Sequence, residues 1–411
     1  MTQPNSLSSI VPKISRLFLV IYAAVLCSRM GFGQALTDTP EPESFGKLYT
    51  CKPGPWGDLE YYYIYLEAPD RLVEHFPAPN TIPKWVFPGG TAAGLRMLFD
   101  NAGLPSALQD YLLDPKHVVD EEGLFTVFPP LPDLLAMKPE QRSVIYAELA
   151  KSEDNEFHAS PVFITSGSAE QWLAQSRLRQ ELRDVMQKMT YMRGQVLAFS
   201  DVSAVLSMAE SAKEAHDLLK TMTRTRSLVM RLRVKSGTDL QSVLQYWTGT
   251  NRNKDIAPIV MSAAETADIE RLDCIHLLPS LPRRYLYSYP PVELAILGRM
   301  PDCHWTSLNF FNYKPREYFL DTRLASAHVL EDYERVDPPY AFGDVFMFLT
   351  PEGNALHSCV YIADDIVYTK NGENMASPWL LMKVGDVKRI YSNDHTMKIQ
   401  AFRLKKLSGH E

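Results

Sequence analysis

The chain has little of what would make its chemistry easy to read. Its 411 residues include only five cysteines. One of them, Cys27, falls in an apolar N-terminal run, which leaves Cys51, Cys274, Cys303 and Cys359. That is too sparse for a disulfide scaffold. A single Cys51–Cys274 bridge is compatible with the sequence but not implied by its spacing. No histidines or cysteines stand at metal-ligand spacing. Glu214 and His216 share one helical stretch without the i, i+4 offset, and His75, His117 and His158 are isolated, so surface or packing roles are expected for them. We therefore expect no metal and no cofactor. Repeats and low-complexity runs are absent. A formal net charge of −7 gives no electrostatic reason to expect nucleic acid. Beyond the N-terminus, no segment is apolar and long enough to span a bilayer.

What is present is the composition of a globular protein, with 45% hydrophobic and 22% charged residues. Proline (29) outnumbers glycine (20), which suggests rigid connections. At the N-terminus, Lys13 and Arg16 precede the run Leu17–Cys27, and Gly33 and Ala35 occupy the −3 and −1 positions of a cut after Ala35. That is the pattern of a secretory signal over 1–35. A secreted or periplasmic protein is expected, with no transmembrane span once the signal is removed.

After a polar, proline-containing linker, residues 36–276 read as mixed and mainly helical. Leu59–Leu66, LEYYYIYL, is β-rich and aromatic and should form a strand. Ser168 and Gln171 stand at capping-box spacing and open a helical stretch running to about Met192. Ser227–Val234 reads as a strand. Residues 277–291, LPSLPRRYLYSYPP and its preceding leucine, form a proline- and tyrosine-rich connector, where a domain boundary is expected. Residues 292–406 then read as a helix followed by five strands: Val345–Leu349, His357–Ala363, Asp365–Thr369, Val387–Ser392 and Met397–Leu404. The fold class is α+β, with a helix packed on an antiparallel sheet.

Chemistry concentrates in this last part. Cys303 follows Pro301 and Asp302 at the start of a helix, with Asp302 as N-cap. A thiol nucleophile needs a lowered pKa, an imidazole to take its proton, and a polar group to hold that imidazole in one tautomer. His357 opens a later strand and is the expected base. Thr369 and Asn371, twelve and fourteen residues on, are alternatives for the third group. Asn371 is the better orienter chemically, and Thr369 fits better by offset. His304 is close in sequence but is directed about 100° away around the helix, so His357 is preferred. The Cys303 backbone N–H is a candidate oxyanion donor.

The order Asp302-Cys303, Gly343-Asp344-Val345-Phe346, His357-Ser358-Cys359-Val360-Tyr361-Ile362 and Val367-Tyr368 resembles the NlpC/P60 cysteine peptidase family of papain-like fold. The resemblance covers about Tyr289–Lys406. It implies Cys303 as nucleophile, His357 as base and a third polar residue near Thr369–Asn371. It also implies hydrolysis of peptide-like amides, with cell-wall peptidoglycan as a candidate substrate. His304-Trp305 stands where the family carries Ser-Gly. Two other readings remain: a non-catalytic exported binding or structural module on the same fold, and transglutaminase-like acyl transfer, for which Asn371 would serve as third group.

Overall fold

The strand expected at Leu59–Leu66 forms, and its partner comes from far along the chain. The computed structural model describes residues 46–405, apart from 77–79, 166–167, 236 and 393–395. The signal expected over 1–35 lies outside the described residues. Strands β1 (Tyr49–Thr50), β2 (Leu59–Leu66), β3 (Thr225–Arg233) and β4 (Arg271–Asp273) form an antiparallel sheet in that order. Alternation in β2 turns Leu59, Tyr61 and Tyr63 inward, opposite Leu228, Met230 and Leu232 of β3. Each such large apolar side chain contributes about 1.5–3 kcal/mol by leaving water.

Between β2 and β3 the chain makes a long excursion that builds a separate core around Trp85, Phe99, Tyr146, Trp172 and Phe199. This lobe is helical, with two three-stranded antiparallel sheets. One is formed by Trp85–Pro88, Val118–Glu121 and Leu124–Val127, the other by Val162–Ile164, Tyr191–Arg193 and Val196–Phe199. Ser168 caps as expected, its hydroxyl accepting from the Gln171 N–H. The long helix expected to follow is nevertheless broken. Helices span Ala169–Leu173 and Gln180–Lys188, because Ala174 turns to ψ 139° and Gln175 takes φ 61°. At the lobe's centre, Arg142 pairs with Asp201 at 3.1 Å and the Tyr146 hydroxyl donates to the same carboxylate at 2.6 Å.

The C-terminal part is a helix, α1 (Cys303–Leu308), set against a six-stranded antiparallel sheet. The strands are β5 (Tyr333–Val336), β6 (Val345–Leu349), β7 (Ala355–Ala363), β8 (Ile366–Lys370), β9 (Trp379–Lys383) and β10 (Lys398–Leu404), ordered β5-β10-β6-β7-β8-β9. The strand expected at Val387–Ser392 is instead helix α2 (Val384–Tyr391). Its buried Val387 and flanking Val384 and Tyr391 follow a helical period. Two strands are missing from the sequence reading: β5, and β9, WLLMK, which is buried over its first four residues and so shows no alternation.

Gly343 and Asp344 lead into β6. Gly343 has φ 91°, and a Cβ there would lie 2.2 Å from the Phe311 ring, so no other residue fits. Asp344 is buried and accepts two 2.7 Å hydrogen bonds from Arg403 of β10, which ties the strand start to its neighbour.

The two sheets share one core, and residues 277–291 lie within it. Tyr285 stacks on Trp379 at 4.5 Å, and the Tyr287 hydroxyl donates to the Leu228 carbonyl at 2.6 Å. Ser227 of β3 donates to the Leu381 carbonyl of β9 and accepts from the Leu381 N–H. The cores therefore part at the two ends of the inserted lobe, not at the connector where a boundary is expected. Among the described residues, no helix is long and apolar enough to cross a membrane.

Candidate active site

The geometry starts from the first turn of α1. Asp302 caps it, accepting from the Trp305 N–H at 2.7 Å. Trp305 turns inward and lies 6.1 Å from Tyr285. Thr306 accepts from the Trp379 indole at 3.0 Å, which fixes the helix on β9. These contacts leave Cys303 at the helix start, 6% exposed, facing the middle strands.

His357 lies on β7, fully buried. Its Nε2 is 2.9 Å from the Thr369 hydroxyl on β8, and that hydroxyl donates to Asn371 Oδ1 at 3.4 Å. Thr369 has one proton. With that proton on Asn371, Thr369 accepts from His357 Nε2–H. The other ring nitrogen, Nδ1, is then unprotonated. It is buried and makes no hydrogen bond of ordinary geometry. The group whose ionisation this ring supports is the Cys303 thiol. Tyr391 of α2 covers the ring, stacked 18° from parallel with centroids 4.2 Å apart.

The two alternatives for the third group are thus both present, in series. Thr369 touches the imidazole, and Asn371 holds Thr369.

His304 is where the helical-wheel expectation fails. Its ring lies close enough for the thiol to govern its charge, and its Nδ1 sits 3.0 Å from Ser358 Oγ. Ser358 also lies 3.1 Å from the Cys303 carbonyl and 3.1 Å from Ser307 Oγ. A one-residue step around a helix sets where Cα–Cβ points. It does not set where a ring two bonds further out ends.

The electrostatics follow from these contacts. Burial raises the Cys303 pKa, but the neighbouring imidazoles, His304 ahead of His357, outweigh it and hold the thiol well below its usual range. Burial likewise works against a charge on His304, yet Cys303, with Asp302 and the Ala355 carbonyl, pushes that ring up to about 9. The short helix is not needed to account for an ionised thiol, since two imidazoles suffice.

Lys370, the residue after Thr369, was not singled out by its sequence context. It is fully buried, donates to the carbonyls of Gly372 at 2.7 Å and Asn374 at 3.2 Å, and lies 5.8 Å from the Trp379 ring. Burial pulls its pKa down to about 8 against the nearby charges of Cys303, Asp302 and Glu373. Lys370 ends β8 and is followed by Asn371-Gly372, which reads as a turn, so nothing in the local sequence marked its burial.

Cys51, Cys274, Cys303 and Cys359 are all free, so the Cys51–Cys274 bridge is not formed. His158 is buried, while His75 and His117 bond to the nearby carbonyls of Arg71 and Tyr111. No group of three or more His, Cys, Asp or Glu could hold a metal ion among the described residues. No protein-family model, curated protein or solved structure matches the chain.

Proposed function

We propose that this protein is a cysteine hydrolase of papain-like architecture that cleaves peptide-like amides through a thioester on Cys303. The observation that carries the reading is the hydrogen-bond chain from His357 Nε2 through Thr369 to Asn371, which leaves Nδ1 free to act as a base, beside a Cys303 thiol whose pKa is held well below its usual range. In the first step the sulfur lone pair forms a C–S bond to the amide carbonyl. The C–N bond breaks, its pair stays on nitrogen, and the proton released by the thiol passes to the departing amine. In the second step His357 Nδ1 takes a proton from water, the hydroxyl attacks the thioester, and the C–S pair returns to sulfur. The Cys303 N–H is the candidate donor to the oxyanion. Exported peptides and cell-wall stem peptides are the substrate class that the family resemblance and the signal-like N-terminus point to.

One observation favours the non-catalytic alternative. His357 and Thr369 are fully covered and Cys303 is nearly so, so a substrate reaches the sulfur only after local movement. Incubation with p-nitrophenyl acetate separates the two readings. The hydrolase reading expects a burst of nitrophenolate and an acetyl group mapped by mass to Cys303. Cys303→Ala should abolish both, and His357→Gln should let the acyl group persist. Absence of acetyl-Cys303 in the folded wild-type protein would leave the binding module as the reading.

A further inference from the structure

We propose that His304, and not His357, carries the proton that Cys303 gives up in the resting protein, so that the site divides its work between a cationic and a basic imidazole. The inference rests on the cysteine-nucleophile reading and assigns that site a residue the sequence resemblance does not supply.

The argument is one of hydrogen-bond satisfiability around Ser358. Its hydroxyl has a single proton and three neighbours: the Cys303 carbonyl at 3.1 Å, Ser307 Oγ at 3.1 Å and His304 Nδ1 at 3.0 Å. In two of these contacts, to the Cys303 carbonyl and to Ser307 Oγ, Ser358 is the donor, so both draw on its one proton. With that proton committed to these acceptors, His304 joins Ser358 as a donor, and Nδ1 bears a proton. The same ring also meets the Ala355 carbonyl, a second pure acceptor that favours its protonated form. Two acceptors around one imidazole, with the thiolate beside them, describe an imidazolium.

His357 is built the other way. One nitrogen donates to Thr369 and the other is left without a proton. The sulfur therefore faces one ring arranged as a cation and one arranged as a base. The remaining ionisable groups within reach are Asp302 at the cap of α1, Cys359 on β7, Lys370 on β8 and Tyr391 on α2, with Glu373 acting on Asp302 and Lys370. Their charges are mixed. Burial works against the His304 cation; the Cys303 anion and Asp302 support it.

The proton balance closes. The S–H bond breaks with its pair left on sulfur and its proton on His304. The leaving amine takes that proton during acylation. The water proton taken by His357 during hydrolysis returns by way of the sulfur to His304.

The test is the pH dependence of Cys303 alkylation by iodoacetamide in the full chain, with the site mapped by mass. Cys274 and Cys359, both fully buried, should stay unlabelled and so report folding. In the wild type the rate should hold level through neutral into mildly acidic pH. His304→Gln should move the inflection up by at least about one pH unit, about tenfold in rate at mildly acidic pH. His304→Arg should restore it, and His357→Gln should move it up by clearly less than His304→Gln does. If His304→Gln exposes the two buried thiols, Ser358→Ala provides the second arm and should shift the inflection in the same direction by less. An unmoved inflection in the folded His304 or Ser358 variant, or an equal shift in His357→Gln, would overturn the inference. A wild-type inflection at the ordinary thiol value would instead remove the cysteine-nucleophile reading beneath it.

Discussion

One region of this protein buries a histidine, another half-buries one, and the two obtain opposite results. In the inserted lobe, His158 sits edge-on to Tyr146 at 4.5 Å, with Nε2 unpartnered. Burial, helped by the Arg193 charge, pushes its pKa down to about 3. Against the six-stranded sheet, His304 feels the same penalty, yet the Cys303 anion and Asp302 take it up to about 9. Desolvation fixes the cost of a charge, and the neighbours decide whether it is met. A buried imidazole without an anion is a packing group. One beside an anionic sulfur becomes half of an ion pair.

The largest expected effect that sharpens this contrast lies in the lobe. Arg142→Met leaves the Asp201 carboxylate buried with only Tyr146 for support, and should cost about 3–5 kcal/mol in denaturant unfolding. Cys303 alkylation in the still-folded variant should be unchanged, because the two cores are separate. Gly343→Ala acts on the other region. Its positive φ and the Phe311 ring predict a loss of about 1–3 kcal/mol, seen as a lower Tm.

Third comes pH. The folded pKa of His158 lies below its unfolded value of about 6.5, so the unfolded chain binds the extra proton. Stability should fall by about 1.4 kcal/mol per pH unit as pH drops from about 6.5 towards 3. His158→Phe should flatten that slope, and an unchanged slope would mean the ring is not held neutral. The smallest effect is Thr369→Val, which removes the acceptor for His357 Nε2–H. It should slow deacylation of acetyl-Cys303 about tenfold while leaving acylation nearly as fast, a smaller loss than removing the base itself.

Much of the site was legible because its signals are local. The Asp302 cap and the β-rich, aromatic run of β2 each depend on a few adjacent residues. Pairing β2 with β3 across the whole lobe is non-local, and no window of sequence contains it. Val387–Ser392 misled because its branched residues resemble a strand, while its neighbours complete a helical period. β9 was missed because burial on both faces erases alternation. Thr369 and Asn371 appeared as rivals, since sequence offset cannot reveal that one side chain holds the other. His304 was set aside on backbone direction, and its ring reached the sulfur through rotation about its own side-chain bonds.

The central claim is that Cys303 rests as a thiolate inside a nearly closed site. Ultraviolet titration of the thiolate band, as the difference between the wild type and Cys303→Ser across the pH range, tests it most directly. The account predicts a thiolate assigned to Cys303 already present below neutral pH. A difference spectrum that grows only in the alkaline range of an ordinary thiol would contradict it.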